Sequence, residues 1–264
     1  MDLKLEGKTA LVSGSTAGIG LAIARALAQE GATVTVNGRS EVRVRTAIDS
    51  IQQTTPTAKL TGIVADLGTK AGTEALFHQL PSVDIVVNNL GFYYPKSFAD
   101  ITDQEWFNSF EVNVLSGIRL SRHYLNQMLE CNWGRILFIS SDSAIQIPAN
   151  AIHYGMTKTA LLAIARGLAE TTARTGVTVN SVLPGPTRSE RIEGLLDAMA
   201  TDKGVDKAEV EKEFFQMVYP NSLLKRLATP EEIAAMTVYL CSPLSSATNG
   251  ATVRVDDGAV RSII

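Results

Sequence analysis

Short, strongly apolar segments alternate along the chain with longer segments in which apolar residues recur every three or four positions. Several of the short segments, such as residues 85–87 and 136–139, are apolar at every position. Strands buried on both faces have this pattern, which predicts a parallel sheet covered by helices. The predicted strands are residues 8–13, 32–37, 60–65, 83–88, 135–140, 177–182 and 252–255.

Polar residues mark where the predicted helices begin and end. Thr102 and Thr229 each stand three residues before a glutamate, which is the spacing of a capping box. The first box opens a long helix that extends towards Met128, and Gly31 is placed to end the first helix of the chain. Repeated β-α-β units with right-handed crossovers predict an α/β fold, a Rossmann-like doubly wound parallel sheet of about seven strands with helices on both faces.

One domain spanning residues 1–264 is predicted, because no linker rich in glycine, serine or proline divides the chain. Residues 187–227 differ from the rest. They are charged, helical in pattern, and longer than a normal crossover between the last two strands. Insertions of this length usually form lids or binding elements, so a helical lid-like insertion is expected here.

Composition excludes several classes of protein. With 24 Lys and Arg against 27 Asp and Glu, the net charge of −3 does not favour nucleic acid as a partner. Cys131 and Cys241 lie far apart, which indicates a reducing compartment and neither a disulfide framework nor a metal site. No segment approaches the roughly 20 apolar residues of a spanning helix, and the first residues do not have the pattern of a signal peptide. A cytoplasmic protein without membrane association is expected.

A glycine-rich segment, SGSTAGIG at residues 13–20, joins the first predicted strand to the first helix. Glycine lets the backbone turn tightly and approach a ligand, and the N–H groups at the helix start suit a pyrophosphate. The position is that of a dinucleotide site, although the spacing is GxxxGxG and not the commoner GxGxxG. The predicted cofactor-binding residues of this segment are Gly14, Ser15, Thr16, Gly18, Ile19 and Gly20.

The same glycines also have the spacing of the nucleophile elbow of hydrolases. Thr16 would then be the central residue, where that motif needs serine. A β-branched side chain fits a strained elbow poorly, so the dinucleotide interpretation is favoured.

Polar residues at the ends of other strands complete a candidate site. Tyr154 and Lys158 are four residues apart in a predicted helix and share one face. Ser141 ends a buried strand, Asn89 ends another, and Asn113 lies inside a long helix, where asparagine is unfavourable. These strand ends lie at the carboxyl edge, where ligands bind in open α/β sheets.

Taken in order, these motifs resemble those of the short-chain dehydrogenase/reductase family, in its compact single-domain branch. The glycine segment is similar to TGxxxGIG, NNLG at 88–91 to NNAG, and Tyr154-x-x-x-Lys158 to the active-site YxxxK. Ser141 stands thirteen residues before Tyr154, as is usual in the family. The resemblance covers essentially the whole chain. Leu90 in place of alanine, and VDDG at 255–258 in place of VDGG, depart from the family pattern.

The resemblance assigns a catalytic role to Asn113, Ser141, Tyr154 and Lys158. Tyr154 is the expected general acid/base, because a cationic lysine one turn away stabilises phenolate and lowers the pKa of the hydroxyl. Ser141 is expected to hydrogen-bond the carbonyl oxygen. Asn113, by resemblance, interrupts its helix and holds a water that links Lys158 to solvent.

The resemblance also implies cofactor contacts along the same edge. Asp66 and Leu67 match the pair that contacts adenine, and residues 184–187 match the loop that closes on the nicotinamide. The further predicted cofactor-binding residues are Asp66, Leu67, Asn89, Leu90, Gly91, Tyr154, Lys158, Pro184, Gly185 and Thr187.

The end of the second predicted strand indicates the choice of cofactor. Gly38 stands where NAD-using relatives of the family carry aspartate, and Arg39 and Ser40 follow it. An acid there would repel the extra phosphate of NADP, whereas a guanidinium grips a phosphate with paired charge-assisted hydrogen bonds. We therefore predict that NADP(H) is preferred over NAD(H), with Arg39 and Ser40 as contacts. The alternative, that Arg39 points to solvent, is left open.

The predicted function is an NADP(H)-dependent oxidoreductase that transfers hydride between the nicotinamide and a ketone or secondary alcohol. The candidate substrates are a 3-oxoacyl thioester, a sugar or polyol, and a steroid. The alternative function is that of a regulator that binds a dinucleotide without turnover. A homotetramer is expected, since closed symmetric assemblies are common and the family resemblance points the same way. The predicted substrate-binding residues are Ser141, Ser143, Ile145, Gln146, His153 and Tyr154.

Overall fold

The computed structural model describes residues 2–263, and its seven strands form one sheet in which every neighbouring pair is parallel. The strand order is β3-β2-β1-β4-β5-β6-β7, which confirms the predicted doubly wound fold. The strands are β1 (Thr9–Val12), β2 (Thr33–Gly38), β3 (Leu60–Val64), β4 (Ile85–Asn88), β5 (Gly134–Ile139), β6 (Val177–Pro184) and β7 (Thr252–Val255). The chain order reverses between β1 and β4, and this switch point opens a crevice at the carboxyl edge.

Both faces of the sheet are covered by helices. Alternate residues of each strand serve the two faces: Val12 belongs to one apolar cluster and Leu11 to the other. Every residue of β5 and β6 is buried, as the continuous apolar pattern of residues 136–139 predicts for β5. The helices are α1 (Gly18–Gln29), α2 (Glu41–Thr54), α3 (Lys70–Gln79), α4 (Asp103–Phe110), α5 (Ser116–Glu130), α6 (Ile152–Thr171), α7 (Glu190–Lys203), α8 (Lys207–Met217) and α9 (Pro230–Cys241).

The long helix predicted from Thr102 is interrupted by a π turn. Both capping boxes form, at Thr102 and at Thr229. Helix α4 runs directly into a π turn over Glu111–Leu115, and α5 continues from it. Such turns insert one extra residue and are frequent at functional sites. Asn113 lies at the centre of this turn, which is the interruption expected from the family resemblance.

The segment 187–227 lies between β6 and α9, and it contains α7 and α8. Its two ends meet, because Thr187 and Ala228 form an isolated parallel bridge. The helices enclose a small apolar cluster of their own, built on Leu196, Val210, Phe215 and Leu227. Within the described residues, no helix combines the length and the apolar character needed to cross a bilayer.

Candidate active site

The glycine loop and the end of β4 are held together at the switch point. The Asn89 amide donates to the main-chain oxygens of Ser13 and Gly14, each over 3.0 Å. A Cβ at position 20 would lie 2.5 Å from Asn89 Nδ2, so only glycine fits there. Gly14 and Gly18 have φ angles of +62° and +53°, in the left-handed region that favours glycine. The glycines at positions 14, 18 and 20 are therefore needed for the loop to turn tightly and to pack against Asn89.

No side chain caps the N-terminus of α1, so its backbone N–H groups can donate to a bound ligand. Its N-cap residue, Ala17, provides no side-chain hydrogen bond, and the first turn carries no acidic residue. By contrast, α2, α3 and α7 are capped by the side chains of Ser40, Thr69 and Ser189. The N–H groups and the positive dipole end of α1 therefore suit an anion such as a pyrophosphate. The described residues at this helix start fit a dinucleotide.

Leu90, the departure from NNAG, packs beneath the glycine loop. Its side chain contacts the apolar cluster around α5, and its Cδ1 atom would lie 3.4 Å from a Cβ at position 14. The next residue, Gly91, faces a narrow space, because a Cβ there would lie 3.4 Å from Lys158 Nζ and 3.5 Å from Asn113 Oδ1. The extra bulk of Leu90 is thus accommodated in the packing under the loop.

The residues after β2 and β3 line the other end of the crevice. Arg39 is exposed, and its guanidinium lies 3.9 Å from the Asp66 carboxylate. Ser40 caps α2 by accepting a hydrogen bond from the backbone of Arg43. Leu67 is 1% exposed, so its side chain belongs to the core. Arg39 is therefore an exposed cation at this edge, and its ion pair with Asp66 is long.

Gly38 also allows a close contact that the sequence did not reveal. A Cβ at this position would lie 2.5 Å from the Thr16 methyl carbon of the glycine loop. Glycine here therefore allows the loop to approach β2, in addition to leaving room near Arg39.

Tyr154 and Lys158 lie on one face of α6 beside the end of β5. Lys158 is buried, and its ammonium donates to the Ile139 carbonyl over 3.0 Å and lies 5.6 Å from the centre of the Tyr154 ring. The Ser140 hydroxyl donates to the Lys158 carbonyl over 2.8 Å, which fixes α6 to the sheet. Ser141 begins the short turn that follows β5. The structure thus brings Ser141, Tyr154 and Lys158 together.

Burial determines the ionisation of these two side chains. It raises the pKa of Tyr154 to about 12, although a hydrogen bond with the Ser141 side chain acts in the opposite direction. It also lowers the pKa of Lys158 to about 8, so the ammonium is still mainly cationic near neutral pH. The direction for Tyr154 is opposite to the lowering expected from its lysine neighbour, because the loss of hydration outweighs the distant charge.

Asn113 connects the π turn to the loop after β4 and to α6. Its side-chain oxygen accepts from Phe92 N over 2.9 Å. Its amide nitrogen donates to Phe92 O and to Thr157 Oγ1, each over 3.1 Å. These bonds hold the loop that carries Tyr93, whose ring stands edge-on to Tyr154 at 5.0 Å. Sequence reasoning did not identify Tyr93 as a neighbour of the site.

The predicted substrate-binding residues lie in two different environments. Ile145 and Gln146 are exposed in the loop after Ser141, and Ser143 is partly buried. His153 is only 1% exposed, with its ring 4.5 Å from Tyr94 and 6.0 Å from Trp106. The histidine therefore packs among these aromatic side chains and does not form part of the exposed surface of the loop after Ser141.

An acid in this loop was also missed. Asp142 is 4% exposed, and its Oδ1 atom accepts from the hydroxyl of Ser141 over 2.9 Å and from that of Ser143 over 3.3 Å. Burial raises the pKa of its carboxyl to about 6. An aspartate directly after Ser141 was the available signal.

The loop after β6 is packed against the C-terminal segment. A Cβ at position 185 would lie 2.7 Å from Asp256 Cα, so Gly185 is needed for this approach. Thr187 is buried, and its hydroxyl donates to the Gly185 carbonyl over 2.9 Å. Asp257, the departure from VDGG, has a φ of +51° and accepts from the Ser222 hydroxyl over 2.8 Å. The extra carboxylate therefore joins the C-terminal loop to the insertion.

Comparisons with known proteins agree over nearly the whole chain. A family model described as enoyl-(acyl carrier protein) reductase matches residues 14–260. The chain is 48% identical to the oxidoreductase YvaG of Bacillus subtilis (strain 168), with all of both chains covered. It is 31% identical to the 3-oxoacyl-[acyl-carrier-protein] reductase FabG of Aquifex aeolicus, over 98% of this chain and 99% of that one.

A solved structure gives the same result. The L-sorbose reductase of Gluconobacter frateurii, complexed with NADPH and L-sorbose, superposes with a TM-score of 0.92 at 28% identity over 100% of both chains. The sheet order, the glycine loop and these relatives lead to one conclusion. The chain belongs to the short-chain dehydrogenase/reductase family and is an oxidoreductase that acts on alcohol and ketone groups.

Proposed function

We propose that the protein is an NADP(H)-dependent oxidoreductase that interconverts a ketone and a secondary alcohol, with Tyr154 as the general acid/base. The observation that carries the proposal is the convergence of Ser141, Tyr154 and Lys158 at the edge of the sheet where the glycine loop opens. Asn113 supports the same group from the π turn. A non-catalytic regulator would not need this set of side chains.

The cofactor supplies the hydride, and the protein controls the proton. The Tyr154 hydroxyl gives its proton to the carbonyl oxygen as negative charge develops there. Ser141 donates a hydrogen bond to the same oxygen and fixes its position. The Lys158 ammonium has donors beyond its bond to Ile139, and these are available to a ribose hydroxyl and to the phenolate left on Tyr154.

The preference for NADP(H) rests on the end of β2. The exposed Arg39 and the absence of a side chain at Gly38 favour a phosphate on the adenosine ribose, and Ser40 adds a hydroxyl at the start of α2. The L-sorbose reductase that superposes on this chain was solved with NADPH, which supports the same choice. Asp66 competes weakly for Arg39 at 3.9 Å.

Two substrate classes are supported by different observations. Ser143 and Gln146 beside the catalytic group suit the hydroxyls of a sugar or polyol, and L-sorbose reductase has the same fold. The end of the insertion instead exposes apolar side chains that suit the chain of a 3-oxoacyl thioester, and FabG of Aquifex aeolicus is a relative. These exposed residues are Met217, Val218, Leu223 and Leu224.

The insertion at 187–227 is proposed to close over bound substrate. Its ends are adjacent at Thr187 and Ala228, so the segment has the geometry of a flap on a narrow base. Lids of this kind exclude water and complete the site on binding. The homotetramer, the single-domain organisation and the cytoplasmic location stay predictions.

The proposal is tested by following NADPH oxidation with a panel of 3-oxoacyl thioesters, ketoses and cyclic ketones, and repeating each assay with NADH. Turnover of at least one class, faster with NADPH, is the expected result. Binding of NADPH without turnover of any compound would favour the regulator and contradict the proposed enzyme.

A further inference from the structure

Asp142 lies in direct contact with Ser141, a proposed catalytic residue, but has no part in the proton transfer proposed for Tyr154. Its carboxylate is 4% exposed, and one of its oxygens accepts from both Ser141 and Ser143. The backbone N–H of Ser143 also donates to Ser141 Oγ over 3.2 Å. The Ser141 hydroxyl is therefore held from two sides by its own loop.

The direction of the bond between Ser141 and Asp142 determines what Ser141 can do. A serine hydroxyl has one proton, and here it is donated to the Asp142 carboxylate over 2.9 Å. In this arrangement Ser141 has no proton left for a carbonyl oxygen. A protonated Asp142 would reverse the bond, because its O–H would donate to Ser141 Oγ and the serine proton would be released towards the substrate.

Three titratable groups interact electrostatically with Asp142: Tyr154 of α6, Tyr219 of the segment after α8, and Asp256 of the segment after β7. The two tyrosines are neutral near pH 7, so Asp256 is the one of the three whose charge disfavours an ionised Asp142. Among the described residues, Asp142 takes part in none of the ion pairs. Burial is the main cause of its raised pKa, and the Asp256 carboxylate adds to it, while the two serine hydroxyls act to lower it.

We propose that Asp142 is a positioning residue whose protonation state determines whether Ser141 donates its hydrogen bond to the substrate oxygen. This inference rests on the proposed function, because it requires that Ser141 contacts the reacting carbonyl. The neutral acid is then the form that supports catalysis. The ionised form keeps Ser141 in place but turns its proton away.

The sign of the pH dependence follows from this arrangement. With a pKa of about 6, the neutral form predominates below that pH and is lost as the pH rises through it. Loss of one donor to a developing oxyanion costs up to about 10²–10³ in rate. Because both reaction directions pass through the same transition state, alcohol oxidation loses the same factor as ketone reduction at each pH.

The test compares the pH profiles of kcat/KM for the wild type and Asp142→Asn. The asparagine amide can donate to Ser141 Oγ at every pH, so this variant imitates the neutral acid. We expect the ratio of wild type to variant to be close to one at about pH 5 and to fall about 10-fold or more by about pH 8. Taking the ratio cancels the titrations of Tyr154 and of the substrates.

Asp49→Asn is the control for the loss of a carboxyl group, since Asp49 is exposed on α2 and has no part in the site. Its ratio to the wild type should be independent of pH. Asp142→Glu, which keeps a titrating carboxyl, should restore a pH-dependent ratio. If Asp142→Asn is too unstable to assay, the comparison of wild type with Asp142→Glu still tests the proposal, because their pH profiles should differ only in the position of this step.

A second readout does not depend on activity. Carbon-13 NMR of labelled aspartate carboxyls in the protein alone should show one signal, absent from Asp142→Asn, that titrates near pH 6. A ratio that is flat with pH, or a carboxyl that stays ionised to about pH 4, would overturn the inference. If Tyr154→Phe is inactive while the ratio is flat, only this inference fails. If the wild type turns over no carbonyl compound, the proposed function fails instead.

Discussion

The carboxyl edge of the sheet and the insertion at 187–227 are built in different ways. The edge lies on β5 and β6, in which every residue is buried, and α6 is fixed to it through Ser140 and Lys158. The insertion has a small apolar cluster and several ion pairs on its surface. These pairs join Arg188 to Glu193 and Glu211, Lys207 to Glu193 and Asp197, and Lys203 to Glu213.

This difference suits the two regions to different tasks, catalysis at the carboxyl edge and substrate selection at the insertion. Groups that transfer a proton must be held within a fraction of an ångström, which a fully packed sheet and helix provide. The ion pairs on the surface of the insertion lie within it and stay intact if it moves as a unit. The ion pairs that join it to α2 and α9, Arg43–Glu190 and Arg226–Glu232, are between exposed side chains and contribute little individually, about 0–1 kcal/mol, so they add little to the cost of opening. We infer that the edge determines the reaction and that the insertion determines which substrate reaches it.

The largest expected effect comes from removing the acid at the rigid edge. Tyr154→Phe should lower kcat by about 10²–10⁴-fold, because only the hydroxyl is lost and a positioned acid/base contributes that factor. The fold and NADPH binding should be nearly unchanged, as judged by thermal unfolding and by titration calorimetry.

Tyr239→Phe is the matched control, since Tyr239 loses the same atom on α9, away from the edge. It should keep full activity. Residual turnover within a few-fold of wild type in Tyr154→Phe would mean that the proton comes from another group.

A smaller effect is expected at the other end of the crevice. Hydrogen bonds to charged groups contribute roughly 1.5–3 kcal/mol, so Arg39→Ala should weaken NADPH binding by about 10- to 150-fold. NADH binding should barely change. Calorimetry with both cofactors measures this, with Arg45→Ala on the exposed side of α2 as the control. Equal losses for the two cofactors would make Arg39 a structural residue.

Two buried leucines, one in each region, should respond differently to truncation. Leu137 in β5 and Leu196 in α7 are both buried, and replacing either by alanine should cost about 2–5 kcal/mol of local packing. Leu137→Ala should lower the unfolding temperature of the whole chain. Leu196→Ala should instead speed hydrogen exchange within 187–227 and raise the substrate KM a few-fold, with NADPH binding unchanged.

In the wild type, exchange across 187–227 should slow when NADPH and substrate are added together. Identical exchange with and without them would contradict a lid. A loss of global stability in Leu196→Ala equal to that in Leu137→Ala would show that the insertion is not a separate unit of stability.

The sequence was sufficient for the sheet, because the strands are short, apolar and separated by clear helical patterns. All seven predicted strands form, with ends that agree to within two residues; β4, for example, begins at Ile85 and not at residue 83. The glycine loop was equally accessible, since its chemistry depends on residue types that are adjacent in the chain.

Features that depend on contacts between segments distant in the chain could not be predicted from the sequence. Periodicity does not report the depth of one side chain, so the burial of His153 and Asp142 was missed. The approach of Thr16 to Gly38 and the bond between Ser222 and Asp257 join loops far apart in sequence. The pKa of Tyr154 was expected to fall, because its neighbour Lys158 is visible in the sequence and its burial is not.

The most direct test of the central claim is to follow the hydride itself. NADPH deuterated at the transferred position should be incubated with a carbonyl compound that the panel identifies, and the product alcohol examined by mass spectrometry. We expect one deuterium on the former carbonyl carbon for each NADPH consumed, and about 10²–10⁴-fold less labelled alcohol in the same time when Tyr154→Phe replaces the wild type. Consumption of NADPH without deuterium in the product, or an equal amount of labelled alcohol with Tyr154→Phe, would contradict the central claim.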